Sequence, residues 1–436
     1  MMFDVLATLA AALLGCFLLL RWLMACGLGL PIEESFFALQ SHPSPSSSRP
    51  LGVPGEKAIR RRENVKLFCI ALSFRVALLL LSGLILLFLA GNGETTSLRD
   101  AWLQGDGYHY VQLVERGYSG YTENGQHLFL VFFPLYVWVT RAVNVLIGDA
   151  FFSGLTVSFL CCSGACVFVY RLAREELNRR AAQRAVVFLS VFPFSFFFGG
   201  MMTESLFLLT TSASLLYIRR HRWAAAGVWG MLAAMTRMHG VLMAAVAMIE
   251  LFESLKVLEA DGRGLKKRIF PVLRQLPFLC LPFLGTGVYL LLNYWVDGNP
   301  FAFVIHQQHW HQGFSWFSQT LQYVGENAFA WEDLSARAAI WIPQLVLFVI
   351  FAALLALCWK KLPSMYTLYG FFYLVLNYSL SWLLSAGRYL SCGIPFFLFA
   401  ALLTEKRPSL DKGLTAAMAA LMGVYLFAWL SGAAIY

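Results

Sequence analysis

The sequence predicts an all-α, polytopic membrane protein with about 11–12 transmembrane helices and a large external first loop. Of its 436 residues, 59% are hydrophobic and only 13% are charged, which is more apolar side chain than one water-soluble core can bury. Apolar runs near spanning length recur from end to end. Because hydrocarbon offers no partner for backbone N–H and C=O groups, these runs must form helices rather than open strands.

Three parts of the chain are distinguished by composition: an N-terminal membrane helix (1–30), a flexible basic cytoplasmic linker (31–66) and a main transmembrane domain (67–436). The first helix lacks a basic leading segment, so we interpret it as uncleaved, with undetermined orientation, rather than as a secretory signal. Proline and serine in residues 41–57 indicate the linker. The apolar runs of the main domain predict spans at about 67–90, 151–170, 185–199, 204–218, 223–238, 240–255, 271–292, 338–358, 364–384, 389–404 and 414–433.

The net charge of +9 is explained by membrane topology rather than by a nucleic-acid surface. Of the 33 lysines and arginines, 25 fall in short segments between apolar runs, at 49–66, 171–184, 219–222, 256–274, 359–361 and 405–412. Cytoplasmic loops carry such an excess of positive charge, and the opposite face holds only six arginines. The sequence therefore predicts external loops at 91–150 and 293–337, and no nucleic-acid partner.

Residues 131–148 are apolar, but a span there would place the basic segment 171–184 on the wrong face. Pro134, Tyr136 and Arg141 instead suit a helix that lies at the level of the lipid headgroups.

Several classes of protein are disfavoured by what the chain lacks. Its nine cysteines lie in or beside apolar runs without CxxC spacing, so neither a disulfide framework nor a zinc site is indicated. No Walker loop, dinucleotide glycine motif or HExxH motif is present, which argues against nucleotide-driven transport and membrane metalloproteolysis.

Asp106 in the first external loop is the leading candidate for a general base. Gly105 and Gly107 flank it and allow the backbone to bring a short carboxylate close to a substrate. Sugar transfer from a lipid phosphate needs such a base, together with groups that hold the leaving phosphate. The structural alternative is that Asp106 only caps a helix.

Neighbouring residues extend this candidate site. His109, three residues on, would share a helical face with Asp106 and could orient it or bind a sugar hydroxyl. Trp102, Tyr108 and Tyr110 could stack on a sugar. The alternative for His109 is a histidine whose hydrogen bonds are satisfied at the membrane interface. The alternative for the three aromatic residues is that such residues are common at the interface of membrane proteins.

Glu204 in the segment Met202–Ser205 lies at the external end of two predicted spans. A carboxylate at that depth is costly unless it is paired or functional, so Glu204 is a second catalytic candidate. It could position the base, the acceptor or a metal. The alternative is a helix start with Thr203 as the capping residue.

Two arginines mark external turns near predicted spans. Arg237, in the segment 236–240 with His239, and Arg388, followed by Tyr389, could together bind a lipid-linked phosphate at headgroup depth. We place His239 with the substrate-binding residues and Tyr389 with the phosphate site. Alternatively, single arginines at helix ends only extend to the interface.

The second external loop carries a polar cluster of Gln307, Trp310 and three histidines, His306, His309 and His311. No carboxylate stands at ligand spacing, so contacts of Gln307 and Trp310 with a sugar or headgroup are favoured over metal binding. The sequence assigns no metal ligand and no cofactor, and leaves a requirement for a divalent metal open.

Taken together and in order, these motifs resemble the PIG-V-like family, the second mannosyltransferases of glycosylphosphatidylinositol assembly and their prokaryotic relatives, within the GT-C class of membrane glycosyltransferases. The resemblance covers about residues 67–404. Its elements are Trp102 to Tyr118, Phe132 to Tyr136, Thr203 to Phe207, Thr236–Arg237 with Gly240, Gly298 to Trp310, and Arg388–Tyr389.

The resemblance implies a GT-C-like bundle that transfers mannose, with inversion, from a polyprenyl- or dolichyl-phosphate carrier on the non-cytoplasmic face. It implies Asp106 as the catalytic acid–base residue, and Arg237 and Arg388 at the donor phosphate. The chain departs from the family where Leu103–Gly105 separates Trp102 from Asp106, and where Val137 replaces a frequent proline.

The sequence of residues 132–136 resembles prokaryotic members of the family more closely. This resemblance favours a glycan or glycolipid of a bacterial envelope as the acceptor. It also favours the bacterial plasma membrane over the endoplasmic reticulum as the location. Two further hypotheses remain open: a non-enzymatic lipid or solute transporter or flippase, since ionisable groups in spans also mark transport paths, and a polymerase or ligase that moves whole lipid-linked glycans.

Overall fold

The computed structural model describes residues 2–29, 56–91, 96–260, 265–330 and 332–435. Within these ranges the chain forms helices and turns, and no strand beyond two isolated bridges, so the predicted all-α class is confirmed. The α-helices are α1 (Met2–Ala25), α2 (Glu56–Gly91), α3 (Leu98–Trp102), α4 (Asp106–Gly120), α5 (Pro134–Ile147), α6 (Ala150–Glu176), α7 (Arg179–Val191), α8 (Glu204–Arg219), α9 (Trp223–Ala234), α10 (Leu242–Leu255), α11 (Leu265–Leu279), α12 (Leu281–Asp297), α13 (Ala302–His306), α14 (Phe317–Ala330), α15 (Leu334–Ala336), α16 (Ile342–Cys358), α17 (Ser364–Asn377), α18 (Ala386–Leu390), α19 (Ile394–Thr404) and α20 (Pro408–Leu430).

The chain is a multi-pass membrane protein. Seven helical segments of the described residues are long and apolar enough to cross a bilayer: Phe3–Ala25, Arg61–Gly91, Ala150–Glu176, Met238–Leu255, Lys266–Asp297, Leu334–Cys358 and Pro408–Leu430. The larger number predicted from the sequence also counts shorter helices, among them α9 and α19, which are apolar but below full spanning length.

The N-terminal helix α1 packs on α10, α14 and α17. Arg21 of α1 is buried, and its guanidinium donates to the backbone carbonyls of Leu362, at 2.7 Å, and of Trp359. Trp22 donates from its indole nitrogen to the carbonyl of Ile249 at 3.0 Å. Most of the predicted linker lies outside the described residues, and its last part, from Glu56, is already helical.

The region between α7 and α8 differs from the continuous span predicted at 185–199. Helix α7 ends at Val191, and the chain then runs through buried turns and a short 3₁₀ helix, Ser195–Gly199, to the start of α8. Irregular backbone inside a membrane needs internal partners. Arg75 donates to Ser195 O at 2.8 Å, and Ser158 donates to Gly200 O at 2.7 Å. Arg75, a charged residue within an apolar run, thus provides a hydrogen-bond donor for a backbone carbonyl of this segment.

Helix α5 has two contrasting faces. It begins with Pro134, whose missing N–H costs nothing in the first turn. Tyr136 is fully buried, and its hydroxyl donates to Gly154 O at 3.0 Å, whereas Val145 and Leu146 are 83% and 87% exposed. Helix α5 falls within the predicted segment 131–148, and its interfacial position stays a prediction.

Glycines let the helices beside the site approach closely. A Cβ at Gly285 of α12 would lie 2.3 Å from the carbonyl oxygen of Met231 in α9, and one at Gly240 would lie 2.1 Å from the carbonyl carbon of Ala233. Small residues allow such contact between backbones in membrane proteins. This contact holds the turn 235–241, and therefore Arg237, against α9.

We expect Gly240→Ala to lower the stability of the protein by about 1–3 kcal/mol, because the added methyl group meets backbone atoms that cannot move aside. Gly287→Ala is the matched control, since a Cβ there has no neighbour within 4 Å. Thermal unfolding in detergent should show a lower Tm only for Gly240→Ala. An equal Tm for the two variants would contradict the packing described.

Candidate functional site

A cavity of about 530 Å³ lies at one end of the helices, where the first loop, the turns 202–203 and 236–239, and the segment 380–389 meet. Eight of the predicted site residues line it: Asp106, Tyr110, Arg237, His239, Gln307, Trp310, Arg388 and Tyr389. The structure therefore brings together residues that are distant in the sequence; Asp106 and Tyr389 are 283 positions apart.

Asp106 is the first residue of helix α4. Gly105 precedes it with φ +59, a left-handed conformation that glycine adopts readily. The carboxylate does not cap the helix, because it turns toward Arg388, and its side chain is 37% exposed. The capping alternative is therefore not what the structure shows. The helix N-terminus adds a favourable field for an anion at this position.

Arg388 is the principal partner of Asp106. Its Nη2 donates to Asp106 Oδ2 at 2.6 Å, and its side chain is only 8% exposed. Burial opposes the charged form, but the adjacent carboxylates of Asp106 and Glu204 raise the pKa of Arg388 above its ordinary value. Arg388 is thus a fixed positive charge at the wall of the cavity.

Glu204 lies behind the two arginines and does not line the cavity. Its side chain is 1% exposed, and a single oxygen, Oε1, accepts from Arg237 Nη2 at 2.6 Å and lies 2.9 Å from Arg388 Nε without hydrogen-bond alignment. Arg237 Nε also donates to Thr203 Oγ1 at 2.9 Å. Glu204 therefore anchors the arginines rather than facing a substrate.

Asp106, Arg388, Glu204 and Arg237 form one continuous chain of alternating charge, which we call the charge relay chain. The Tyr389 ring adjoins both of its cations, 4.8 Å from the Arg237 guanidinium carbon and 5.4 Å from that of Arg388. Such cation–π contacts favour the charged guanidinium and limit its movement. Tyr389 thus acts on the arginines that were predicted to bind phosphate.

The other predicted residues that line the cavity surround the charge relay chain. Tyr110 is buried and packs edge-on against Phe132 at 4.8 Å. The His239 ring meets Tyr373 edge-on at 5.5 Å. Gln307 and Trp310 come from the second of the two predicted external loops, 293–337, and that loop therefore lines part of the cavity.

Besides Glu204, the predicted residues His109 and Trp102 lie outside the cavity wall. His109 does not line it; its Nδ1 lies 2.9 Å from the Tyr121 hydroxyl, and its ring stacks on Phe129 at 4.6 Å. Trp102 is 3% exposed and forms part of the core. Neither side chain lines the cavity, because Tyr121 and Phe129 hold the His109 ring and Trp102 is buried in the core.

We expect His109 to make stability depend on pH. Burial lowers the pKa of His109 below its ordinary 6.5, although the charges of Asp106 and Glu123 oppose this. Just below pH 6.5 the unfolded chain therefore binds more protons than the folded protein, and stability falls as the pH falls. In His109→Gln, the Tm should fall less between about pH 7.5 and 5.5 than in the wild type.

The exposed histidine His309 supplies the matched control, His309→Gln, which should keep the wild-type dependence of Tm on pH. Equal pH dependence in all three proteins would contradict the partly buried position of His109.

Part of the cavity wall was missed by sequence reasoning. Gln104 lines the cavity, and its amide donates to Trp429 O at 2.9 Å, which joins the first loop to the end of α20. Trp429, residues 432–435 and Trp382 also line it. Gln104 and Trp382 lie within a few residues of Asp106 and Arg388, so proximity to those residues was a usable signal. No signal distinguished the segment after α20.

The three histidines of the second loop, His306, His309 and His311, do not form a metal-binding group. Asp297 Oδ2 lies 3.1 Å from His306 Nε2, a carboxylate that the sequence spacing did not associate with them. Across the ranges given above, no group of three or more His, Cys, Asp or Glu side chains is placed to hold a metal ion.

Fold and site define a multi-pass membrane protein with a charged cavity at one end of its helices. Residues 133–273, under half of the chain, match the family described as dolichyl-phosphate-mannose-protein mannosyltransferase. Over this segment, which contains Glu204, Arg237 and His239, the chain is similar to glycosyltransferases. The matching family is a different one from the PIG-V-like family, whose resemblance stays a prediction. No curated protein matches the sequence.

Among solved structures, the chain is similar to the archaeal oligosaccharyltransferase AglB from Archaeoglobus fulgidus, in a complex with an inhibitory peptide and a dolichol-phosphate. The identity is 12% and the TM-score 0.45, over 85% of this chain and 56% of that one. For the apo form of the Archaeoglobus fulgidus oligosaccharyltransferase, the values are 13% and 0.45, over 86% and 56%. This chain thus spans just over half the length of those proteins.

Proposed function

We propose that the protein is a GT-C-type membrane glycosyltransferase that moves a sugar, mannose by its resemblances, from a polyprenyl- or dolichyl-phosphate carrier to a glycan or glycolipid acceptor. The observation that supports this most is the pairing of Asp106 with Arg388, at 2.6 Å, in the wall of a cavity that Arg237 also lines. A base and two phosphate-binding cations are the groups this transfer needs.

In the proposed reaction, an acceptor hydroxyl attacks the anomeric carbon of the lipid-linked sugar from the face opposite the phosphate. The bond between that carbon and the phosphate oxygen breaks, and its electron pair stays on the phosphate. The hydroxyl proton passes to the Asp106 carboxylate. The sugar is transferred with inversion, and the lipid phosphate leaves with an added negative charge.

The arginines have a defined part in this scheme. Charge builds up on the leaving phosphate in the transition state, and guanidinium groups already in place stabilise it without reorganisation. Glu204 and Tyr389 hold Arg237 and Arg388 in position, so we assign Glu204 and Tyr389 as positioning residues.

The environment of the cavity suits such a substrate. Asp106 and Tyr110 supply polar groups for a sugar, while Trp310, Trp382 and Trp429 offer aromatic faces for a sugar ring or the first isoprene units of the carrier. We place this end of the helices on the non-cytoplasmic face, because the basic segments of the sequence adjoin the other helix ends. The resemblance of residues 132–136 to prokaryotic members supports a bacterial plasma membrane.

The test is to incubate membranes that contain the protein with labelled polyprenyl-phosphate mannose and to identify labelled products by mass spectrometry. Membranes from cells without the protein are the control. Transfer of label to a glycan or glycolipid only where the protein is present is the expected result. Flux of a lipid or solute across reconstituted vesicles without any transfer product would instead support a transporter.

A further inference from the structure

Arg388 occupies the middle of the charge relay chain, in contact with both carboxylates. Its Nη2 donates to Asp106 at 2.6 Å, its Nε lies 2.9 Å from Glu204, and its Nη1 donates to the sulfur of Met202 at 3.5 Å. Of its two carboxylate partners, Asp106 is part-exposed to the cavity and Glu204 is buried. A ligand in the cavity can therefore compete for Arg388 with Asp106 but not with Glu204.

The charges of the four residues sum to zero when both carboxylates are ionised. A lipid phosphodiester donor carries one negative charge, whereas the phosphomonoester product carries a second one above its pKa of about 6. The transfer thus creates a new negative charge at the phosphate while it removes one at Asp106. Both events involve the two groups that flank the Arg388 guanidinium.

We propose that Arg388 passes from Asp106 to the departing phosphate as Asp106 takes up the acceptor proton; this inference rests on the proposed function. When the proton forms its O–H bond with the carboxylate, Asp106 loses its charge and its hold on Arg388 weakens. The Arg388 Nη2–H then donates to the phosphate oxygen that received the electron pair of the broken bond. Base and leaving group are coupled through one guanidinium.

The same contact provides for release of the product. When the protonated Asp106 returns its proton to water, the carboxylate competes again for Arg388 and the lipid phosphate loses a charged hydrogen bond. Glu204 keeps the guanidinium within reach of both positions throughout, because its contact with Arg388 Nε does not depend on the cavity. In the resting protein, the Asp106 carboxylate therefore competes with a phosphomonoester for the Arg388 guanidinium and weakens its binding.

The test is the affinity of the purified protein, in detergent, for farnesyl phosphate as the probe. We expect Asp106→Asn to bind the probe about tenfold more tightly than the wild type, since a charged hydrogen bond is released to the phosphate. Asp100→Asn removes the same charge from the same loop at an exposed position bonded to Ser97, and should bind as the wild type does. Asp106→Ser serves if Asp106→Asn does not fold.

A double-mutant comparison separates the proposed transfer of the Arg388 hydrogen bond from Asp106 to the phosphate, which we call the handover, from a general effect of charge. In an Arg388→Gln background, Asp106→Asn should change the affinity by less than about twofold, because the shared partner is gone. Equal or weaker binding by Asp106→Asn, or the same tenfold gain without Arg388, would overturn the handover alone. No binding of farnesyl phosphate by any variant would contradict the handover and the proposed function together.

Discussion

Replacing Asp106 with asparagine is expected to lower the rate of sugar transfer by about 10²–10⁴-fold, the usual contribution of a general base. Asparagine keeps the size of the side chain and an oxygen that Arg388 can bond, but it cannot accept the proton of the acceptor hydroxyl. The measurement is the initial rate of transfer from polyprenyl-phosphate mannose by folded, purified protein.

The control for this experiment is Asp100→Asn. Asp100 is exposed on the same loop, and its carboxylate accepts from Ser97 Oγ at 2.6 Å outside the cavity. Its rate should stay within about twofold of the wild type, as is usual for surface substitutions. Undiminished transfer by Asp106→Asn would rule out Asp106 as the base, whatever the binding experiments show.

Replacing Glu204 with glutamine should reduce both stability and transfer. Glu204 is the carboxylate partner of Arg237, and removal of one member of a buried ion pair costs about 3–5 kcal/mol, because the other charge stays buried. Thermal unfolding in detergent should therefore show a lower Tm. Transfer should fall about 10–100-fold through misplaced arginines, a loss of the size seen when a charged transition-state contact is weakened.

A second substitution separates these two effects. Arg237→Met in the Glu204→Gln background removes the unpaired charge and should restore part of the lost stability, but it should not restore transfer. Glu115→Gln, at an exposed position of α4, is the control and should leave both properties unchanged. A double variant that regains transfer would show that Glu204 matters for stability alone.

Much of the fold could be predicted because the bilayer imposes lengths and polarity on the chain. The predicted runs at 67–90 and 151–170 fall within α2 and α6, and the interfacial pattern of 131–148 corresponds to α5. The continuous span at 185–199 was wrong. Phe192 to Thr203 instead forms turns and a short 3₁₀ helix, which are tolerated because Arg75 and Ser158, distant in sequence, donate hydrogen bonds to its backbone.

The site was predictable residue by residue but not as an arrangement. Arg237 and Arg388 stood out because each is a charged group at the turn beside an apolar run, where it is costly without a purpose. Asp106 stood out because two glycines flank an acid in the predicted first external loop. Sequence spacing could not show that Glu204 faces the arginines and not the cavity. The inclusion of His109 followed from helical spacing, but stacking on Phe129 and the contact with Tyr121 decide where its ring lies.

By itself, the sequence determined that this chain is a helical membrane protein with polar, catalytically suited residues between its spans, because the hydrophobic effect and backbone hydrogen bonding act on every local run of residues. Only the tertiary structure decided which of those residues meet. Asp106 of α4 and Arg388 of α18 both line one cavity, where their side chains approach to 2.6 Å, and the Arg388 charge is shared because the fold buries Glu204 behind it. Contacts over such separations depend on how whole helices fit together, which no local pattern encodes.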